Sequence, residues 1–535
     1  MFKNQLINIK LFFIDIIFLI ISSVLCALSQ PNYLNVEGSG LIVFIALVPC
    51  FYALKRSSCS RSFLYGFIYG AFYYFILNYW LKTFHPLSIL IVPFIRAFQF
   101  GLLFVVLHLV DVSFKNNKCI ILSLTYTSYM FLLEQGFLGY SYGNIAYALY
   151  RHLVLIQVAD LFGIWLIVFF IVLPQFLIVY EDKSKTGLIL FISLFVFIII
   201  YGFIALKLYG KNNDAKQLNV LVIQHNENSH INGFESYISS FNTLTRLTEE
   251  GIKEYPNTDL VTWSETAFVP PIYYHQTYKT DKKSLLLVDS LISFSFNLGK
   301  PLLLGNGDAR LVDEKDIPSL NTSYYYNASL LLDKGVIKGI YRKNHLVPFT
   351  EYFPYASIFP RFYSFLLSKD FNFWTPGNEL NLFNIKKDDQ SFVFYTPICF
   401  EDTFAYLSRE GVKTGAEFLI NLTNDSWSGE KSAEQQHLSI AVFRSIENRV
   451  PTVRSTNSGA SCLIKKNGDI KGLLPYFKEC YGFYSVDIPK KRVQTLYTKL
   501  GDMPIKIVSL FTLILIIFQN VFNCIHNFRN RRTWR

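Results

Sequence analysis

The sequence predicts a polytopic α-helical membrane region, one layered α/β domain and a final membrane helix. Hydrophobic residues make up 51% of the 535 positions, and the mean hydropathy is +0.29. Soluble domains rarely reach such values, and the chain is long enough for a membrane region and one large domain. Long apolar runs fill the first part of the chain, whereas the middle part alternates short apolar segments with helix-like ones. We therefore predict a membrane region over 1–208, an α/β domain over 217–495 and a last span over 504–524.

The predicted membrane region rests on apolar runs that are long enough to cross a hydrocarbon layer of about 30 Å. They cover residues 11–29, 39–54, 63–81, 88–110, 119–138, 153–180, 187–208 and 504–524. The second run is short and the fifth contains polar residues, so we expect about eight transmembrane helices. The first run contains Asp15 and has no small-residue cleavage site, which favours an uncleaved helix over a signal peptide.

Basic residues in alternate loops predict the orientation of these helices. They are Lys55, Arg56, Arg61, Lys115, Lys118, Lys183, Lys185, Arg529, Arg531, Arg532 and Arg535. By the positive-inside rule, these loops and both termini face the cytoplasm, and residues 209–503 lie on the outer side. Because the basic residues lie in these loops and at the termini, membrane topology explains the formal charge of +11, and no nucleic-acid partner is expected. The eight cysteines form no CxxC pair, and neither a metal nor a cofactor is predicted.

The segment between the seventh and eighth runs has the pattern of a layered α/β domain. Short apolar strands are predicted at 218–226, 259–268, 301–310, 326–335, 392–402, 417–427, 451–464 and 482–489. Helix-like stretches lie around 235–254, 282–298, 403–413 and 433–448. Strands that alternate with helices favour this fold class.

Three of the predicted strands end in residues that could do chemistry. Glu265 follows an apolar strand in Trp-Ser-Glu-Thr-Ala, and Lys343 and Glu351 flank an apolar turn. Cys399 precedes a helix-like segment, where backbone N–H groups favour a thiolate and a developing oxyanion. Each residue alone has an ordinary explanation: a solvated carboxylate, an ion pair or a buried structural cysteine. Their joint occurrence in the order Glu, Lys, Cys predicts a nucleophilic active site.

Further motifs connect this site with a known family. Asn-Leu-Thr-Asn-Asp-Ser-Trp at 421–427 and the polar run at 436–461 accompany it. Together these residues resemble the nitrilase, or carbon–nitrogen hydrolase, superfamily. With its apolar N-terminal region and final span, the chain resembles the apolipoprotein N-acyltransferase family over nearly its whole length. The resemblance implies an α-β-β-α sandwich with a catalytic triad of Glu265, Lys343 and Cys399.

The same resemblance implies a reaction and the residues that support it. Glu351 and Glu401 match additional carboxylates that orient Lys343 and shape the pocket, and Phe400 stands where a tyrosine is usual. The implied reaction moves an acyl chain from a phospholipid donor, through a Cys399 thioester, to the N-terminal amine of a diacylglyceryl apolipoprotein. It implies ping-pong kinetics and a location in the bacterial inner membrane, with the catalytic domain on the periplasmic side.

Two other functions remain open at this point. A membrane-tethered amidase for small amides would keep the triad but would not need eight spans. A non-catalytic receptor or transporter with a nitrilase-like domain would not need Cys, Lys and Glu together. The aromatic segment 352–374 favours contact with lipid or a lid over acyl chains, although packing on its own domain explains it equally well. For Glu134, Asp160 and Arg96, inside the predicted spans, we favour structural pairing over a catalytic part.

Overall fold

The computed structural model contains two compact units. It describes residues 2–83, 88–136, 139–180, 185–210, 214–228, 233–313, 315, 317–320, 323–367, 373–492 and 494–532. The helical unit comprises Met1–Leu208, Gln435–Phe443 and Lys499–Arg535, and the α/β unit comprises Tyr209–Glu434 and Arg444–Thr498. Lys183 and Arg535 of the predicted basic regions lie outside the described residues, as do residues 368–372 of the aromatic segment.

The first nine α-helices belong to the helical unit. They are α1 (Phe2–Ser29), α2 (Val48–Lys55), α3 (Cys59–Leu77), α4 (Ser88–Ser113), α5 (Lys118–Leu133), α6 (Leu153–Ile156), α7 (Ala159–Phe162), α8 (Trp165–Tyr180) and α9 (Lys185–Gly210). The C-terminal helix, Met503–Arg532, also belongs to this unit.

Four helices among the described residues are long and apolar enough to cross a membrane. They are Ile9–Ser29, Ser88–Ser113, Lys185–Gly210 and Met503–His526, and shorter apolar helices cover Gly40–Lys55, Lys118–Leu133, Leu153–Phe162 and Trp165–Tyr180. The predicted run 153–180 is not one helix, because Gly163 has a φ of +64° and separates α7 from α8. The described residues thus contain three candidate spans in the helical N-terminal region and one at the C-terminus, where the sequence predicts about eight spans in all.

The ionisable residues inside the helical unit are held by polar neighbours. Arg96 donates a hydrogen bond to the Tyr140 carbonyl at 2.6 Å and stacks on the Tyr140 ring. Glu134 accepts a hydrogen bond from Asn144, and Asp160 accepts one from a tyrosine hydroxyl. These contacts agree with the structural pairing that the sequence predicts.

Six further helices and twelve strands form most of the α/β unit, and a seventh helix, α15, belongs to it only through its two ends. The helices are α10 (Phe234–Glu254), α11 (Ile272–Tyr278), α12 (Lys282–Leu298), α13 (Pro360–Leu367), α14 (Ala405–Thr414), α15 (Lys431–Asn448) and α16 (Leu496–Leu500). The strands are β1 (Ala215–Gln224), β2 (Leu260–Trp263), β3 (Leu302–Leu311), β4 (Ser323–Asp333), β5 (Val336–Arg342), β6 (Phe383–Lys387), β7 (Gln390–Tyr395), β8 (Phe418–Thr423), β9 (Thr452–Thr456), β10 (Cys462–Ile464), β11 (Ile470–Lys471) and β12 (Cys480–Pro489).

The strands form two six-stranded sheets, in the orders β12-β1-β2-β3-β4-β5 and β11-β10-β9-β8-β7-β6. Apolar side chains from both sheets, including Val220, Leu303, Phe394 and Val453, pack into one buried core. Helices α10 and α12 pack on the other face of the first sheet, through residues such as Leu244. The predicted layered α/β domain is therefore a two-sheet sandwich with a helical outer layer.

The direction of the strands determines where their ends meet. Strands β1, β2 and β3 are parallel, and β5 runs in the same direction because both β3–β4 and β4–β5 are antiparallel. In the second sheet, β7, β8 and β9 are parallel. Each sheet therefore brings several carboxyl ends of strands to one edge.

Candidate active site

The three predicted triad residues each lie just beyond the end of a strand. Glu265 follows β2, Lys343 follows β5 directly, and Cys399 follows β7 and begins the 3₁₀ helix Cys399–Thr403. The Lys343 Nζ atom lies 3.4 Å from the Glu265 Oε1 atom. A hydrogen bond from the Cys399 side chain to Glu265 acts to lower the pKa of that carboxyl. The fold thus brings thiol, carboxylate and ammonium groups into one site.

Both carboxylate oxygens of Glu265 are held by the protein. Oε1 accepts a hydrogen bond from the Asn327 side chain at 2.8 Å, and Oε2 accepts the backbone N–H of Asn424 at 2.9 Å. Burial raises the pKa of Glu265, opposed by the nearby charge of Lys343 and assisted by that of Glu351. A fixed carboxylate with a raised pKa suits a general base.

Lys343 is buried between two carboxylates. Its Nζ atom lies 2.8 Å from the Glu351 Oε1 atom, and Glu351 Oε2 in turn accepts the backbone N–H of Val347 at 2.8 Å. Burial alone would lower the pKa of Lys343, but the charges of Glu351, Glu265 and Cys399 outweigh it and hold that pKa well above its usual value. The site therefore contains a permanent cation beside the thiol.

Cys399 presents a partly exposed side chain from a strained backbone. Its φ is +48°, in the left-handed region that side chains with a Cβ atom rarely adopt. Burial of the thiol and the charge of Glu265 raise its pKa well above the usual value, although Lys343 opposes them. This differs from the thiolate that the sequence leads us to expect, because neighbouring carboxylates and burial outweigh the backbone N–H groups. The resting thiol thus needs a base.

Thr266, next to Glu265, and Phe349, in the turn between Lys343 and Glu351, share this backbone feature. Their φ values are +48° and +61°. Such conformations cost of order 1 kcal/mol or more each and cluster at functional sites. Two of these positions are Cys399 itself and the neighbour of Glu265, and the third lies in the turn that joins Lys343 to Glu351.

Glu401 joins the segment of Lys343 to the segment of Cys399. Its Oε1 atom accepts the backbone N–H groups of Asn344 at 2.7 Å and His345 at 3.0 Å. Its Oε2 atom accepts the backbone N–H of Ile398 at 2.8 Å. Burial raises the pKa of Glu401 to about 7, although these hydrogen bonds oppose the shift. Glu401 therefore fixes the main chain on both sides of the site.

Phe400, the other predicted supporting residue, packs its ring away from solvent. The ring meets Phe404 edge to face, with centroids 4.9 Å apart, and lies 6.1 Å from the ring of His345. These contacts form a cluster of aromatic rings next to the nucleophile in the chain.

Sequence reasoning missed three residues that fix Glu265. Asn327 and the main chain of Asn424 hold its carboxylate, and a Cβ atom at Gly305 would lie only 2.5 Å from the Glu265 Cα atom. An Asn within the apolar strand β4 was a usable signal, because a buried amide needs a partner. Asn424 belongs to the 421–427 motif, but nothing in the sequence indicated its contact with Glu265 or the close approach of Gly305.

Comparisons with known proteins identify the family of the chain. Residues 22–177 match the apolipoprotein N-acyltransferase N-terminal domain, and residues 238–496 match the carbon–nitrogen hydrolase domain. Apolipoprotein N-acyltransferase 1 of Treponema denticola is 38% identical, over 94% of this chain and 94% of its own length. That of Treponema pallidum is 34% identical, over 87% and 88%. The enzyme of Borreliella burgdorferi is 30% identical, over 92% and 93%. The chain belongs to the apolipoprotein N-acyltransferase family.

Proposed function

We propose that this chain transfers an acyl chain from a phospholipid to the N-terminal amine of a diacylglyceryl-cysteine lipoprotein. The observation that carries the proposal is the meeting of Glu265, Lys343 and Cys399 in one site, with Glu265 bonded to Lys343 Nζ at 3.4 Å. A thiol suits this transfer, because it opens an ester and leaves a thioester that an amine readily attacks.

In the first half-reaction, Glu265 takes the Cys399 proton while the sulfur attacks the ester carbonyl of the phospholipid. The raised pKa of Cys399 keeps the proton on the resting thiol. The raised pKa of Glu265 makes its carboxylate a better acceptor for that proton when the sulfur attacks. Lys343 Nζ and the backbone N–H of Phe400 stabilise the tetrahedral oxyanion. The intermediate breaks its C–O bond, and the lysophospholipid leaves with the proton from Glu265.

In the second half-reaction, the lipoprotein amine attacks the thioester. Glu265 removes a proton from the nitrogen as the C–N bond forms, and the C–S bond then breaks. The proton returns to the sulfur of Cys399, which restores the resting site. Because the donor product leaves before the acceptor reacts, the kinetics are ping-pong.

A membrane location suits both lipid-anchored substrates. We propose that the chain crosses the bacterial inner membrane about eight times, at the eight apolar runs that the sequence predicts, and the four long apolar helices support four of these crossings. The basic loops favour a periplasmic side for residues 217–495. An enzyme held in the bilayer meets such substrates by lateral diffusion, which replaces encounter through water.

Exposed apolar side chains favour lipids over small amides as substrates. Within the described part of 352–374, Ile358 is 65% exposed, Phe359 54% and Phe365 53%. Such a patch is costly in water and marks a binding or membrane surface. An amidase for small soluble amides has no use for it.

The test is to incubate the full-length protein in detergent with a phospholipid that carries a labelled acyl chain. We expect a thioester on the Cys399 peptide, which a synthetic diacylglyceryl lipopeptide then discharges as labelled amide. Cys399→Ala abolishes the adduct, and Cys480→Ala, at another partly exposed cysteine, leaves it intact. The proposal fails if wild type forms no adduct, if Cys399→Ala still forms it, or if the lipopeptide does not accept the label.

A further inference from the structure

A second set of charged side chains lies next to the candidate site. Arg454, on β9, is fully buried, and its guanidinium donates a hydrogen bond to the Asp402 carboxylate. Its other terminal nitrogen lies 3.8 Å from the Asp425 Oδ2 atom. Strand β9 lies between β8 and β10, which holds the backbone of Arg454 on both sides. None of these three residues has a part in the proposed chemistry.

The two carboxylates belong to the two segments that carry the nucleophile and hold the base. Asp402 lies in the 3₁₀ helix Cys399–Thr403, which begins with the nucleophile. Asp425 directly follows Asn424, whose backbone N–H holds Glu265. Arg454 therefore bridges the segment of Cys399 and the loop that fixes Glu265.

A buried arginine is suited to fix the distance between these segments. Its guanidinium is planar and rigid, so a hydrogen bond to Asp402 on one side and the ion pair with Asp425 at 3.8 Å on the other set a separation that a lysine ammonium does not impose. Burial and the charge of Asp425 hold the pKa of the neighbouring Glu434 well above its usual value, although the charge of Arg454 opposes them.

We propose that Arg454 is a positioning residue, which sets the distance between the Cys399 thiol and the Glu265 carboxylate through its contacts with Asp402 and Asp425. This inference rests on the proposed function for the identity of the reaction. The geometry itself is independent of that identity, since a misplaced base slows any reaction of the thiol. A misplacement of about 1 Å is enough to slow a reaction about 100-fold.

The experiment compares full-length Arg454→Met, Arg454→Lys and Asp402→Asn with wild type. The control is Glu417→Gln, which changes a partly buried partner of Lys216 at a distance of 2.7 Å and lies outside the two segments that Arg454 bridges. Each variant is first checked for folding by its thermal midpoint. Alkylation of Cys399 by iodoacetamide, followed by mass spectrometry of its peptide, then measures access of the base to the thiol without any lipid.

We expect Arg454→Met and Asp402→Asn to alkylate about tenfold more slowly than wild type, and Arg454→Lys to recover part of the rate. In the acylation assay, the maximal rate falls by about 100-fold while the phospholipid concentration at half-saturation stays within about twofold. The inference is overturned if folded Asp402→Asn or folded Arg454→Met alkylates Cys399 as fast as Glu417→Gln. If wild type alkylates but never forms the acyl-enzyme, the proposed function fails, and the alkylation comparison still decides the role of Arg454.

Discussion

The carboxylate of Glu265 accepts the backbone N–H of Asn424 at 2.9 Å. A main-chain donor cannot be lost by substitution of its side chain, so this contact depends only on the path of the loop after β8. Asn327 holds the other carboxylate oxygen at 2.8 Å, and the base is thus oriented before any substrate arrives. Such preorganisation lowers the cost of reaching the transition state.

Glu265→Gln should slow acylation of Cys399 by about 10²–10⁴-fold, because the amide cannot take the thiol proton. The measurement is the rate of labelled thioester formation in a single turnover. Glu249→Gln, at an exposed position of α10, serves as the control and should keep the wild-type rate. If Glu265→Gln forms the thioester at a rate within about threefold of wild type, Glu265 is not the general base.

Lys343→Met should reduce acylation by about 10²–10³-fold, since the oxyanion loses its cation. It should also destabilise the protein by about 3–5 kcal/mol, because Glu265 and Glu351 stay buried without their partner. Adding Glu351→Gln to Lys343→Met should recover part of the thermal midpoint but none of the activity. Recovery of activity in the double variant would show that Lys343 has only a structural role.

The acylation rate should fall as the pH falls through the raised pKa of Glu265, because only the ionised carboxylate accepts the proton. Burial raises this pKa, the charge of Lys343 lowers it, and the charge of Glu351 raises it. Glu351→Gln removes one negative charge, so the acid limb of the single-turnover pH profile should move to lower pH. A limb that stays in place or moves to higher pH would contradict this electrostatic account.

Glu401 should make the folded protein less stable as the pH rises. Its pKa is about 7 in the folded state against a usual 4.5, so the folded state binds more protons between these values. The contribution of Glu401 to the free energy of unfolding is therefore complete below its pKa in the unfolded state. This contribution falls by about 3 kcal/mol as the pH rises through the pKa of the folded state. Thermal midpoints at about pH 5 and about pH 8 measure the loss. Glu401→Gln should reduce this dependence, and an unchanged dependence would assign it to other groups.

Gly305→Ala should disturb Glu265 although it lies outside the site. The added Cβ atom would lie 2.5 Å from the Glu265 Cα atom, and backbone atoms cannot move aside as a flexible side chain does. We expect a loss of acylation of about 100-fold and a lower thermal midpoint. The control is Gly210→Ala, where the nearest atom is 3.8 Å from the added Cβ. Wild-type acylation in Gly305→Ala would show that the turn adapts.

The predicted strands and the observed ones differ mainly at the edges of the sheets. The sequence did not predict β5, β6 or β11, and each of them lies at the edge of its sheet. An edge strand has one open side, so it carries charged residues such as Lys338, Lys386 and Lys387 and lacks a clear apolar pattern. The apolar prediction at 451–464 is two strands, because the turn between β9 and β10 falls within it.

The site was predictable where it depends on residues at strand ends, and unpredictable where it depends on register. Glu265, Lys343 and Cys399 each follow an apolar segment, which a sequence displays directly. The contacts of Glu265 with Asn327 and of Arg454 with Asp402 join residues far apart in sequence. Such partners are set by how the strands align across the two sheets, and one sequence does not contain that information.

The left-handed backbone at Thr266, Phe349 and Cys399 gives a way to recognise relatives that have lost the reaction. Glycine, and to a lesser degree asparagine, adopts this conformation with less strain than a threonine, a phenylalanine or a cysteine. While the reaction is under selection, the strain at these positions is retained. Once selection for the reaction ends, drift towards glycine at these positions stabilises the fold. A descendant that keeps the fold only for binding should therefore carry glycine or asparagine at one or more of them.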